Sequence, residues 1–245
     1  MPEPTHRLYG DLCWLWPIIS PPEDYVDESE AFAELLKASG ATELGGLLHL
    51  GCGGGHNDYT LLNHYQVTGV DISEPMLAHA RRLNPAAEYL HGDIRTVRLN
   101  REFSVVVALD SVNYMLTEQD VGAVFATAAA HLAIGGVFLT YVEHSVESFE
   151  QNKTVGSAHS SGDLEITFVE NLYARDPTEQ QLEALFLYLI RRNGVLSIET
   201  DVSRCGLFPF ETWVRLMLEA GFDVRQFEYQ WEEGTLPVLV GVKVR

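Results

Sequence analysis

The sequence has 245 residues, of which 46% are hydrophobic, enough to bury a core as one domain with an insertion. It holds 16 basic and 35 acidic residues, which gives a formal net charge of -19 at pH 7. Nucleic-acid binding relies on Lys and Arg to displace counterions from phosphates, so this charge argues against a DNA or RNA partner. It suits a small partner molecule that is neutral or cationic.

No apolar run is long enough to cross a bilayer, since residues 12–19 near the start are interrupted by Pro17. The first residues, MPEPTHR, lack the charged-then-apolar layout of a secretion signal. Three cysteines (Cys13, Cys52 and Cys205) have neither metal-ligand spacing nor the even number of a disulfide framework. We therefore expect a cytoplasmic protein without membrane association or a bound metal.

The first 40 residues are rich in aromatic side chains. Tyr9, Trp14, Trp16 and Tyr25 precede a pattern typical of a helix at residues 29–37. Trp14 and Trp16 could anchor a core or cover a bound ligand, and the sequence leaves both roles open.

The most informative segment is residues 47–71, LLHLGCGGGHNDYTLLNHYQVTGVD. An apolar run opens into a glycine-rich turn at residues 51–55, and a second strand-like run ends in Asp71. This order of strand, turn, helix and strand is typical of the nucleotide-binding half of a doubly wound α/β domain. Asp71, about 20 residues after the turn, is then placed to accept hydrogen bonds from ribose hydroxyls.

The spacing of the glycines narrows the choice of nucleotide. Gly51, Gly53 and Gly55 form G-x-G-x-G, whereas a dinucleotide-binding turn needs a third glycine where His56 stands. No lysine follows in the turn, so a phosphate-binding loop of the G-x-x-x-x-G-K-[ST] type is excluded. The turn alone is still compatible with other α/β proteins.

The next segments continue the alternation of helix and strand. Ser73 is a good N-cap for a helix whose apolar stripe includes Met76. Residues 89–94 predict a short strand ending in Gly-Asp, and residues 103–110 predict a strand buried on both faces. The latter ends in Asp110, at the edge of the sheet where this architecture binds ligands.

The second half of the chain predicts further core elements and an insertion. The core elements are helices at 117–132 and 209–221 and strands at 137–142, 223–231 and 236–245. The inserted strands are expected at 164–173, 181–191 and 195–203, separated by Asp176-Pro177-Thr178 and by the hairpin signal Asn193-Gly194. Three antiparallel strands inserted after the fifth strand would cover the ligand-binding edge of the sheet as a lid.

At these segments the sequence resembles the class I S-adenosylmethionine-dependent methyltransferases, whose first motif reads hydrophobic-x-hydrophobic-G-x-G-x-G. The stretch VDISEPMLAHAR at residues 70–81 resembles their second motif, and the last two strands resemble the β-hairpin that ends their sheet. The inserted strands resemble those of small-molecule N-methyltransferases. These include enzymes that act on the amino group of nucleotide-linked deoxysugars and the glycine-type enzymes.

The resemblance implies S-adenosylmethionine as the cofactor and assigns contacts to it. It places Ile72 and Ile94 against the adenine ring, Asp93 at the adenine amino group, and Tyr9 in an opening segment that folds over the cofactor. The small side chain of Cys52 suits the turn and is not expected to be a nucleophile. The residues expected to bind the cofactor are Tyr9, Gly51, Cys52, Gly53, Gly55, Asp71, Ile72, Met76, Asp93, Ile94 and Asp110.

Methyl transfer mainly requires alignment of the acceptor and exclusion of water. An amine acceptor needs only to be unprotonated, whereas an oxygen acceptor needs a base. Groups expected near the reacting methyl are Asp110, Asn113, Tyr114, Glu143 and His144. We predict Tyr114 and His144 as catalytic candidates. His144 could be a general base or simply a surface or capping histidine.

His49 departs from the first motif, because most members of the family have an acid there that helps to place the amino group of the cofactor. Backbone carbonyls of the glycine turn can still bind that group, so we expect binding to survive with a slightly altered affinity. Unchanged affinity in His49→Asp would show that His49 has no special part.

The predicted fold is α/β: a doubly wound, Rossmann-like sheet of seven strands with a terminal β-hairpin and an inserted antiparallel β lid. Residues 1–40 form the opening segment, residues 41–144 and 206–245 the core, and residues 145–205 the lid. The expected function is methyl transfer to a small-molecule acceptor, with an amine favoured. An O-methyltransferase, a non-catalytic cofactor-binding protein and a dehydrogenase are the alternatives. An exposed lid strand could also pair two copies into a homodimer.

Overall fold

The computed structural model describes residues 6–42, 45–176, 179–231 and 234–245. The central sheet has seven strands: β1 (Gly46–Leu50), β2 (Gln66–Asp71), β3 (Glu88–His91), β4 (Phe103–Ala108), β5 (Leu132–Tyr141), β10 (Phe222–Trp231) and β11 (Gly234–Lys243). Their order in the sheet is β3-β2-β1-β4-β5-β11-β10. Neighbouring strands from β3 to β5 are parallel, whereas β11 is antiparallel to both β5 and β10. The predicted doubly wound sheet with a terminal hairpin is confirmed.

Helices cover both faces of this sheet, which explains why its inner strands are apolar at successive positions. On one face, Phe32 of α2 packs in a cluster with Leu47 of β1. On the other, Phe125 of α5 and Trp213 of α6 pack in a cluster with Leu48. The helices are α1 (Trp16–Ile19), α2 (Val26–Ala38), α3 (His56–Leu61), α4 (Glu74–Leu83), α5 (Glu118–Ala130) and α6 (Phe210–Glu219). Among the described residues, no helix is both long and apolar enough to span a membrane.

Several predicted boundaries were wrong around β4 and β5. The strand expected to reach residue 110 ends at Ala108, and Asp110–Tyr114 form a 3-10 helix. Thr117 caps α5 as predicted by accepting a hydrogen bond from the backbone of Asp120. The helix ends at Ala130 rather than at residue 132, because Leu132 already begins β5.

A second, antiparallel sheet has the order β6-β7-β8-β9. Its strands are β6 (Thr154–Ser161), β7 (Leu164–Tyr173), β8 (Gln181–Arg192) and β9 (Val195–Gly206). Asn193 and Gly194 both have positive φ, 50° and 79°, as the predicted hairpin turn requires. The predicted count of three strands was wrong. The sequence pattern missed β6, whose mostly exposed Ser, Gly and Ala residues lack an apolar alternation. Of the other expected separator, Pro177 and Thr178 lie outside the described residues.

The opening segment packs on the second sheet. Leu8 and Leu15 belong to the same buried cluster as Phe186 and Tyr188 of β8. The backbone N–H of Leu8 donates to the buried Asp201 carboxylate of β9 at 2.8 Å. The segment and the second sheet therefore form one body over the edge of the central sheet.

This contact yields a stability prediction. Asp201→Ala leaves the buried N–H of Leu8 without its acceptor, so the free energy of unfolding should fall by about 1–3 kcal/mol. The Arg7–Glu199 ion pair, 2.8 Å, joins the same two elements at a partly exposed position. Glu199→Ala is the control and should cost less than about 1 kcal/mol. Urea unfolding measures both, and equal losses would contradict the prediction.

Candidate functional site

A cleft of about 1230 Å³ lies where the carboxyl edge of the central sheet meets the opening segment and the second sheet. Twelve of the thirteen residues predicted either to bind the cofactor or to be catalytic candidates line it: Tyr9, Gly51, Cys52, Gly53, Asp71, Ile72, Met76, Asp93, Ile94, Asp110, Tyr114 and His144. The remaining one, Gly55, does not. Side chains of the second sheet, such as Phe186, form the opposite wall.

The three glycines of the turn all have a left-handed backbone, with φ of 77° at Gly51, 52° at Gly53 and 77° at Gly55. A Cβ on Gly51 would lie 2.1 Å from the side chain of Ser111, and one on Gly55 would lie 2.7 Å from the Tyr89 hydroxyl. The absence of a side chain at Gly51 and Gly55 therefore allows Ser111 and Tyr89 to pack against the turn. A Cβ on Gly53 would meet only Met76, at 3.7 Å, so Gly53 instead leaves room in the cleft.

Alanine substitutions should separate these two roles. Gly51→Ala should lower the free energy of unfolding by about 2–4 kcal/mol, because the new methyl group displaces Ser111 and the backbone is strained. Gly53→Ala carries only the backbone cost of about 1–2 kcal/mol. Its methyl group would project into the cleft and should abolish binding of S-adenosylhomocysteine by the folded protein. Urea unfolding and calorimetry test this, and tight binding by Gly53→Ala would contradict it.

Asp71 ends β2 and is fixed by the backbone of the turn. Its Oδ2 accepts from the N–H of Gly53 at 2.8 Å, and its Oδ1 accepts from the N–H of Ser73 at 2.8 Å. Burial raises the pKa of the Asp71 carboxyl above its ordinary value, while the two backbone hydrogen bonds favour the ionised form. Each carboxylate oxygen keeps a lone pair for a further donor such as a ribose hydroxyl.

The residues expected around an adenine ring have unequal surroundings. Ile72 is 65% exposed, whereas Ile94 and Met76 are buried. Asp93 is paired with Arg95 at 2.7 Å, and this guanidinium holds the pKa of the Asp93 carboxyl below its usual value. The carboxylate thus has a partner of its own, and its contact with an adenine amino group stays a prediction.

Two tyrosines from distant parts of the chain meet at the cleft. The hydroxyls of Tyr9 and Tyr114 are 2.6 Å apart, and their rings are perpendicular with centroids 5.5 Å apart. Burial raises the pKa of both phenols well above the ordinary value. Both hydroxyls are therefore neutral at physiological pH and can orient a ligand through hydrogen bonds without acting as bases.

A group of polar side chains follows β4 and β5. Asp110 lies close to Glu143, and its hydrogen bonds with Glu143 and Asn113 favour the ionised form of its carboxyl group. The buried amide nitrogen of Asn113 lies 3.4 Å from Asp110 and 3.5 Å from Glu143. Burial raises the pKa of Asp110 above its ordinary value. His144 stands 3.8 Å from Glu143, with its side chain 18% exposed.

Two further cleft residues, Glu28 and His56, were not singled out in the sequence. His56 stacks on Trp16 with ring centroids 5.8 Å apart, and burial lowers its pKa to about 4. Trp16 thus lines the cleft rather than only anchoring the core. Glu28 accepts a hydrogen bond from Asn57 at 2.9 Å, and burial raises its pKa to about 7. The helical spacing could have revealed Glu28, because a residue four positions before Phe32 lies on the same face of α2 as its apolar stripe.

Glu28 should make stability depend on pH. Its carboxyl has a pKa of about 7 in the folded protein and an ordinary value of 4.5. Between these values the folded state binds more protons than the unfolded state, so stability falls as pH rises. Glu28→Gln removes this penalty and should stabilise the protein by on the order of 1–2 kcal/mol at pH 8, and less at pH 5. Thermal unfolding measures this.

The matched control is Glu34→Gln, at an exposed position of the same helix. Its effect should be similar at both pH values. A gain from Glu28→Gln that is the same at pH 5 and pH 8 would contradict the titration of Glu28.

His49, the departure from the first motif, belongs to a buried network beneath the turn. Its Nδ1 lies 2.7 Å from Oδ1 of Asp58, whose Oδ2 accepts from the Tyr89 hydroxyl at 2.9 Å. Asn84 donates to Tyr89 at 2.9 Å and to the carbonyl of Gly55 at 2.7 Å. The network therefore ties the end of the glycine turn to α3, α4 and β3.

The Rossmann-like fold and the cleft at the carboxyl edge of its sheet resemble those of methyltransferases. Residues 47–136 match the family model described as a methyltransferase domain. Over 117 residues the chain is 39% identical to a dTDP-3-amino-3,4,6-trideoxy-alpha-D-glucopyranose N,N-dimethyltransferase of Streptomyces venezuelae. That alignment covers 47% of this chain and 49% of the relative, so it spans about half the length of this curated protein.

Solved structures agree over a greater length. The crystal structure of Streptomyces venezuelae DesVI has a TM-score of 0.84 and 26% identity, and the match covers 99% of this chain and 100% of that one. CalS10, an amino pentose methyltransferase from Micromonospora echinaspora solved with S-adenosylmethionine bound, has a TM-score of 0.80 and 24% identity. That match covers 89% of this chain and 92% of that one, and it supports the fold alone. The predicted resemblance to class I methyltransferases of the aminosugar type is confirmed.

Proposed function

We propose that the chain transfers a methyl group from S-adenosylmethionine to the amino group of a deoxysugar linked to a nucleoside diphosphate. One observation supports this most directly. A single cleft joins a nucleoside-type site, formed by the glycine turn and Asp71, to the partly buried carboxyl groups of Glu28, Asp110 and Glu143. The name of the relative, a dTDP-aminosugar N,N-dimethyltransferase, supports a nucleotide-linked amine as the acceptor.

The residues of the turn fit the proposed cofactor. Gly53 leaves space beside the turn that a side chain would fill. Asp71 keeps acceptor capacity for the two ribose hydroxyls, and the exposed Ile72 offers an apolar surface beside it. Bound S-adenosylmethionine would supply an activated methyl group on a sulfonium. The residues of the chain would then hold the acceptor in line with that methyl group and keep water out.

The carboxyl groups suit an amine acceptor. An alkylamine is protonated at physiological pH and must lose a proton before its lone pair can react. Asp110 and Glu143 attract the ammonium form, and a carboxylate of raised pKa can take the proton that it releases.

Tyr9 and Tyr114 would position the acceptor. Their neutral hydroxyls, 2.6 Å apart, can donate to and accept from a sugar hydroxyl or an amine. Because Tyr9 lies on the opening segment and Tyr114 follows β4, their contact also keeps that segment closed over the cleft.

A specific observation favours O-methylation as a second candidate. His144 lies 3.8 Å from Glu143, an arrangement in which a carboxylate can stabilise a protonated imidazole. An oxygen acceptor would need such a base. The carboxyl groups of Asp110 and Glu28 favour the amine, because a hydroxyl acceptor gives them no cation to neutralise.

Matched substrates distinguish these functions. We expect S-adenosylhomocysteine release and an N-methylated product with an aminodeoxysugar nucleotide, and no release when a hydroxyl replaces the amine. If the hydroxyl analogue is methylated and this reaction requires His144, the second candidate is favoured. Cofactor binding without turnover of any amine or hydroxyl acceptor would overturn both and leave a binding protein.

The cofactor site has a direct test in Asp71→Ala. Two hydrogen bonds to a charged group are lost, so affinity for S-adenosylhomocysteine should fall by at least about 100-fold. Asp223→Ala, at an exposed position of β10, is the control and should bind as the unchanged protein does. Unchanged affinity in Asp71→Ala, measured by calorimetry, would overturn the assignment.

A further inference from the structure

His49 occupies an unusual position for a titratable side chain. It lies on β1, two residues before Gly51, and is only 2% exposed. Its ring nevertheless lines the cleft beside the glycine turn. A buried imidazole on the wall of a binding cleft needs a partner for each ring nitrogen.

The carboxylate of Asp58 fixes one of these partners. Asp58 is fully buried, its Oδ2 accepts from Tyr89, and its Oδ1 lies 2.7 Å from Nδ1 of His49. A carboxylate is only an acceptor, so Nδ1 of His49 carries the hydrogen. In the neutral ring Nε2 then has the lone pair, and among the described residues it has no hydrogen-bond partner.

We propose that Nε2 of His49, held in this tautomer by Asp58, accepts a hydrogen bond from the ammonium group of the amino-acid part of S-adenosylmethionine. This rests on the proposed function and assigns one part of that site. An ammonium group has three donors and needs acceptors when it leaves water. Asp58, directly behind the ring, supplies a negative charge that stabilises the cation through the imidazole.

The pair thereby explains how the turn can lack an acid at position 49. The carboxylate is contributed by α3 instead, and His49 bridges the distance between Asp58 and the cleft. His49 is a binding residue in this scheme, and Asp58 is a positioning residue that acts through it.

Asp58→Asn tests the tautomer. Tyr89 still donates to the oxygen of the new side-chain amide, so the amide nitrogen faces His49 and donates to Nδ1. Nε2 then carries the hydrogen and can no longer accept a hydrogen bond from the ammonium group. Affinity for S-adenosylhomocysteine should fall about 10- to 100-fold. Affinity for methylthioadenosine, which has the same adenosine and no amino-acid part, should change by less than about twofold.

Tyr89→Phe is the matched control. It removes the other hydrogen bond to Asp58 and the bond from Asn84, and it leaves the tautomer of His49 unchanged. It should therefore weaken both ligands by a similar factor. Equal weakening of both ligands by Asp58→Asn would show that Asp58 only holds the turn, and would overturn the proposal.

Nitrogen-15 spectra of His49 give a second measurement that does not need a variant. In the unliganded protein, Nδ1 should be protonated and Nε2 should not. The Nε2 resonance should shift with S-adenosylhomocysteine and stay in place with methylthioadenosine. A hydrogen on Nε2, or the same shift with both ligands, would overturn the proposal. If S-adenosylhomocysteine does not bind the unchanged protein at all, the proposed function fails instead.

Discussion

The left-handed turn between β1 and α3 is the constraint on which the rest of the site depends. Three glycines allow the chain to reverse within five residues and bring the N–H of Gly53 to Asp71 at 2.8 Å. A buried network that includes Asp58, Tyr89 and Asn84 fixes the carbonyl of Gly55 from below. The turn is therefore held in place by Asp71 and by this network, and its geometry shapes the part of the cleft beside Asp71.

A second physical theme is the burial of acidic groups along one wall of the cleft. Moving a carboxylate out of water costs free energy, which is why the pKa of Glu28 rises to about 7 and that of Asp110 also rises. Perturbed carboxyl groups of this kind cluster at functional sites, and attraction of a cationic acceptor would be such a function. Asp71 differs from these acids, because both of its carboxylate oxygens accept hydrogen bonds from backbone N–H groups.

Most of the central sheet could be predicted from local pattern. The runs before and after the glycine turn form β1 and β2, and the predicted hairpin turn at Asn193-Gly194 is present. The errors have physical causes. Strand β6 (Thr154–Ser161) is held by pairing with β7 rather than by an apolar face, so its composition did not reveal it. The strand after residue 103 ended early because its last residues turn into a 3-10 helix.

The sequence by itself determined most strands and helices of the core, the glycine turn after β1 and the position of Asp71 at the end of β2, because each depends on neighbours within a few residues. Only the tertiary structure decided which distant side chains meet. Tyr9 joins Tyr114 across 105 positions of sequence, and His49 finds its acceptor on the following helix. These contacts depend on how the opening segment, the turn and the second sheet pack together. No local pattern carries that information.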